Sequence, residues 1–186
     1  MSKYRSILLA DCIGKLSART YRAKNITDIA QAVTSEMSVQ CGGTPGLGTE
    51  FPCLLVNLLQ DYARTRAISL ALIFVDAKQA FYVILRPLVA ALYQSDEAVA
   101  YVMQRLGLPP QALTELTTML ETQSNLFQQN QLPIPFQHDV ALNYTATHFT
   151  VKGAKSIGLA LKGTRPGHPY ANVVFMFAFS KVLSVI

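Results

Sequence analysis

The spacing of apolar positions changes several times along the chain, and each change predicts an element. From 6 to 25, Ile7, Leu8, Ile13, Leu16 and Ala18 recur among bases at helical intervals. A second short helix is expected near Thr27, capped by Thr27 or Asp28. The glycine-rich stretch "QCGGTPGLGTEF" (40–51) predicts a loop whose backbone adopts conformations closed to other residues. Thr49 and Glu50 then open a helix, "TEFPCLLVNLLQDYARTR", with Leu54, Leu55, Leu58, Leu59 and Tyr62 on one face. Pro52 falls in its first turn, where a missing N–H does no harm.

The run "SLALIFVD" (69–76) has strand length and no alternation, which predicts a central strand buried on both faces. Helices are expected over 78–93, over 96–107 with Asp96 and Glu97 in its first turn, and from Pro109–Pro110 through "PPQALTELTTMLETQSNLF". Leu113, Leu116, Leu120 and Leu126 form the stripe of the last of these. A polar loop is expected at "QQNQLPIPFQ" (128–137). From 138 the pattern turns to alternation, so "VALNYTATHFTV" and "GLALKGTRPG" predict a hairpin across "KGAKS". After "GTRPGHP" (163–169), "YANVVFMFAFSKVL" reads as an apolar helix. The order predicts an α+β fold with no internal repeat.

Composition sharpens this picture. Hydrophobic residues make up 51% of the 186, charged residues 15%, and the mean hydropathy is +0.27. No stretch approaches the ~20 apolar residues of a spanning helix; "VVFMFAFSKVLSVI" is broken by Ser180 and Lys181. The apolar run Ile7–Ala10 is too short for a signal peptide. The expectation is a soluble piece of a larger globular protein, with no membrane partner. Cys12, Cys41 and Cys53 form no CxxC pair, which suits a reduced, intracellular setting. His138 and His148 offer no zinc-ligand spacing.

Charge is unevenly spread. Residues 1–24 carry six bases against Asp11, and 152–186 carry five bases and no acid. Between them, 87–151 holds Arg105 against Asp96, Glu97, Glu115, Glu121 and Asp139. If the basic ends meet, they make a face suited to phosphates; otherwise they are solvated helix faces. Asp76, at the tip of the expected strand, reads in two ways. It is a carboxylate for a hard cation such as Mg²⁺, or the cap of the next helix.

Four segments carry a resemblance. "FVDAKQAFYVILR" is similar to motif A of reverse transcriptases of non-LTR retroelements, Phe-x-Asp-x-x-x-Ala-Phe, through Phe74, Asp76, Ala80 and Phe81. "QCGGTPGLGT" resembles the family's Gln-x-Gly-Phe-Arg-x-Gly-Arg-x-Thr through Gln40, Gly42, Gly46 and Thr49. "KGTRPGHPYANVVF" resembles motif B through Gly163, Arg165, Gly167, Pro169 and Phe175. "YRSILLADCIGKLSAR" resembles the first block through Tyr4, Arg5, Ile7, Lys15 and Arg19. They follow the family's order and span nearly the whole chain. Gly43, Thr44 and Leu47 replace Phe, Arg and Arg in the loop; Pro166, Tyr82 and Tyr170-Ala171-Asn172 also depart from the pattern.

The resemblance implies a partial right-hand polymerase: 1–67 fingers-like, 68–186 palm-like, with helices packed on a small antiparallel sheet. It implies RNA template, DNA primer and dNTPs as partners, and Mg²⁺ on Asp76. Arg5, Lys15, Ala77, Phe81, Arg165 and Gly167 would lie at the nucleotide, with Phe81 under its sugar. Gln40, Gly42, Gly46 and Thr49 would form the template loop. The family's Tyr-x-Asp-Asp motif is not present, since no Asp–Asp pair occurs in the sequence. The expectation is therefore a chain inactive alone, whose apolar surface a missing palm and thumb would cover. The rival expectations are a non-enzymatic nucleic-acid binder and a decayed product without function.

Overall fold

The structure is a computed structural model that describes residues 11–36, 41–42, 46–74, 76, 80–90, 104, 107, 109–145, 147–150, 153 and 155–183. Within these the chain is mostly helical. Helices α1 (Cys12–Lys24), α2 (Ile26–Glu36) and α3 (Glu50–Arg66) precede two short turns, α4 (Ala80–Val83) and α5 (Arg86–Val89). Then come α6 (Pro110–Thr122), α7 (Leu126–Gln129), α8 (Ile134–Tyr144), strands β1 (His148–Phe149) and β2 (Gly158–Leu159), and α9 (Ala171–Leu183). The strands pair antiparallel, His148 opposite Leu159 and Phe149 opposite Gly158. The Phe149 ring lies across Gly158, where a Cβ would stand 2.5 Å from it. The α+β reading thus holds at a coarse level, but the core is built of helices on helices rather than helices on a sheet.

Local chemistry explains the boundaries. The Asp11 carboxylate accepts from the Gly14 N–H at 2.7 Å, so α1 starts at Cys12. Arg22 and Lys24 sit in its last turn, where positive charge suits the helix dipole. The Asn25 N–H closes α1 on Tyr21 and Arg22, and α2 begins at the next residue. Pro110 opens α6 as expected, but the helix stops at Thr122. Gln123 is extended, and Asn125 starts α7 through a reciprocal capping box with Gln128.

Three expectations are corrected. Residues 134–144 form helix α8, where a loop running into a strand was expected. Pro133 and Pro135 stand at its N-terminal end, where proline initiates rather than breaks a helix. Phe136, Val140 and Tyr144 then recur every four residues and are all buried. The hairpin shrinks accordingly to two residues per strand. Second, residues 69–74 form no strand and are open to solvent, Ile73 and Phe74 at 86% and 85% exposure. An extended segment needs neighbours for its backbone N–H and C=O groups, and no described strand flanks this one. Third, the single helix expected over 78–93 is broken within its described part: Leu85 is extended between α4 and α5. Pro87 forces this, since a proline deprives the helix of an N–H and its ring crowds the preceding turn. The helix expected at 96–107 lies largely outside the described residues.

The core gathers α1, α2, α5, α7, α8 and α9. Ile29, Ala32 and Val33 face it from α2 at i, i+3, i+4, and Val173, Val174 and Phe177 from α9. Phe127 packs against Phe136 and Phe177 at ring distances of 5.9 and 5.1 Å, the second edge-to-face. Tyr170 meets Phe136 edge-to-face at 5.6 Å. Among the described residues no helix is long and apolar enough to cross a membrane.

Candidate functional site

The loop between β2 and α9 docks on the end of α4. Gly163 takes a positive φ of 75°, and a Cβ there would stand 2.7 Å from the Phe81 carbonyl oxygen and from the Tyr82 Cα. Only glycine meets both demands. That close approach lets the Gly163 N–H donate to the Ile84 carbonyl at 2.7 Å and the Thr164 N–H to the Phe81 carbonyl at 2.5 Å. Carbonyls left open at a helix end need such donors. The Phe81 ring, half-buried, packs on Phe175 of α9 at 5.0 Å. The segments resembling motifs A and B therefore touch at Phe81, Gly163 and Thr164.

A buried cation holds the other side of the loop. The Arg86 guanidinium donates to four carbonyls: Gly163 at 2.5 Å, Ala160 at 2.7 Å, Tyr144 at 3.0 Å and Lys162 at 3.2 Å. The carbonyl dipoles take the place of a carboxylate partner, and burial pushes its pKa down to about 10. Its guanidinium carbon lies 5.2 Å from the centre of the Tyr144 ring, and that of Arg165 lies 5.3 Å from it. Burial pushes the Tyr144 phenol up to about 12, against the opposing pull of Arg165 and Arg86. Burial also lowers the pKa of Arg165, and among the described residues its Nε finds no hydrogen-bond partner.

His168 follows Gly167, whose φ is +89° with open space around it. The imidazole is buried beside Tyr144 and Tyr170, and its Nδ1 accepts from the Tyr170 N–H at 3.3 Å. Burial first, then Arg165, then Lys15 lower its pKa to about 4. It is held neutral three residues before α9. The Tyr170 hydroxyl donates to Asp139, and burial followed by that bond raises its pKa.

The structure thus brings Phe81, Arg165 and Gly167 around one loop, with Lys15 of α1 within electrostatic reach of His168. Among the described residues it does not build a metal centre around Asp76. That carboxylate is exposed, and among the described residues no group of three His, Cys, Asp or Glu could hold an ion. Gly46 is exposed with φ +78°, Gly42 is exposed, and Thr49 precedes α3 in helical conformation without a side-chain cap. Arg5, Gln40 and Ala77 lie outside the described residues. Sequence reasoning missed Arg86 and Tyr144. The signal for Arg86 was a lone arginine in the apolar run "FYVILRPLVA", which inside a core must find acceptors. No protein-family model, curated protein or solved structure matches the chain.

Proposed function

We propose that this chain is a fingers and partial-palm portion of a retroelement-type reverse transcriptase, an RNA-directed DNA polymerase whose complete form adds dNTPs to a primer. The observation that carries the reading is the docking of the Gly163–Gly167 loop on Phe81. It joins two separately matched segments through backbone contacts that only glycine at 163 permits. Arg165 and Lys15 on that side supply positive charge of the kind phosphates need. The complete enzyme would use two Mg²⁺ ions held by several carboxylates. Asp76 does not fit that role unaided, because one carboxylate, even bridging two cations, leaves both short of ligands. In this reading the residues of this chain bind and orient, and metal-assisted phosphoryl transfer needs further carboxylates beside Asp76.

The purified chain is expected to incorporate no dNTP on a primed RNA template with Mg²⁺. Added in trans, a palm segment bearing Tyr-x-Asp-Asp is expected to restore incorporation that Asp76→Ala abolishes. Incorporation by the chain alone, or restoration indifferent to Asp76, would overturn the proposal. A binder without chemistry predicts instead salt-dependent affinity for RNA or DNA that survives Asp76→Ala, and no restoration.

A further inference from the structure

A cavity of about 300 Å³ lies where α5, the end of α6, the start of α7 and α9 meet. Pro87, Leu88, Met119, Leu120, Leu126 and Ala178 are among its apolar walls. That volume is at the low end of small-molecule sites, which are mostly apolar with a few placed polar groups. The polar lining comes wholly from the α6–α7 junction, as Gln123, Ser124, Asn125 and Gln129. No residue of the lining is ionisable, so a charged guest would lose its hydration here without gaining a partner.

One polar group of this lining is left over. Asn125 is only 9% exposed. Its Oδ1 accepts from the Gln128 N–H at 3.1 Å, and its own N–H donates to Gln128 Oε1 at 3.3 Å. The neighbouring Gln129 Nε2 is spent on the Ser124 carbonyl at 2.5 Å. Asn125 Nδ2, a donor, makes no hydrogen bond among the described residues. The capping box holds the side chain in place, so this donor is set before anything binds. We propose that the cavity binds a small uncharged molecule, its apolar body against the leucine and methionine walls and one carbonyl oxygen accepting from Asn125 Nδ2. The site shares no residue with the Gly163–Gly167 loop and is independent of the polymerase reading.

Two probes test this on the full chain by ligand-observed NMR titration: 2-acetonaphthone, two fused rings bearing a methyl ketone, and 2-isopropenylnaphthalene, the same shape with CH₂ for the oxygen. The ketone is expected to bind saturably with a Kd of about 0.2 mM, in keeping with its size. Asn125→Asp keeps the side-chain size and the capping oxygen but removes the donor. It is expected to weaken the ketone about tenfold and the alkene no more than about twofold, with unchanged circular dichroism. Ala178→Met, which fills the space with a flexible side chain, is expected to abolish binding of both probes without lowering the melting temperature. Three results would overturn the inference: no saturable binding of the ketone to the wild type, equal weakening of both probes by Asn125→Asp, or binding indifferent to Ala178→Met.

Discussion

Helices α3 and α9 both carry large apolar side chains, α9 the more densely, and meet opposite fates. In α9, Val173, Val174, Met176 and Phe177 are buried against α2, α5 and α7. In α3, five leucine and tyrosine side chains from 54 to 62 face solvent. The difference lies in the neighbours that each helix finds. Helix α9 follows a loop pinned at both ends, by Gly163 and Thr164 to α4 and by His168 to its own first turn, which aims it at the core. Helix α3 is joined to the rest through a glycine-rich segment on one side and, on the other, an exposed segment, 68–74, without regular structure. Apolar pattern specifies that a face will be covered; the connecting backbone decides by what.

Substitutions separate the two regions. Gly163 and Gly46 share a positive φ, at 75° and 78°, but only Gly163 has backbone within 3 Å of an added Cβ. Gly163→Ala is expected to cost about 3 kcal/mol or more and Gly46→Ala about 1 kcal/mol, read by urea unfolding. Equal effects would break the contrast. Leucine truncation makes the same comparison within cores: Leu126, 6% exposed, should lose about 2–4 kcal/mol on conversion to Ala, and Leu54, 55% exposed, less than ~0.5 kcal/mol at micromolar protein.

The packed half alone is expected to carry a dependence on acidity. His168 has a folded pKa of about 4 against an ordinary 6.5. As pH falls between these values the unfolded chain binds a proton that the folded chain refuses, so stability is lost through that window. The loss should be on the order of 2 kcal/mol, and His168→Gln should flatten it, as followed by thermal melts from pH 7 to 4. A pH-independent midpoint in the wild type would remove His168 from the core.

Much of the helical framework was legible in the residues. The stretch from Thr49 to Arg66, the start at Pro110 and the apolar helix after Tyr170 carry their own periodicity and start signals. Helix α8 was not, because Pro133 and Pro135 look like breakers until one sees them at its N-terminal end. The missing strand at 69–74 shows the other limit: a run can have strand composition, yet a ladder is a property of two segments. At the site, Arg165 and Gly167 were legible as part of a glycine-bounded loop. Arg86 was not, since its acceptors are main-chain oxygens that lie 58 to 77 residues away.

That last arrangement has a consequence for the segment it spans. Arg86 grips the chain at Tyr144 on one side and at Ala160, Lys162 and Gly163 on the other, closing an excursion that carries the small hairpin. It works as a noncovalent clasp, so the excursion is anchored at its neck rather than at its tip. The tip around Gly153 and Lys155 is exposed and can be lengthened, shortened or cut with little effect on how the neck is held. In evolutionary terms this makes the hairpin a module, free to drift in length and sequence while one buried arginine keeps the two helices on either side of it in register.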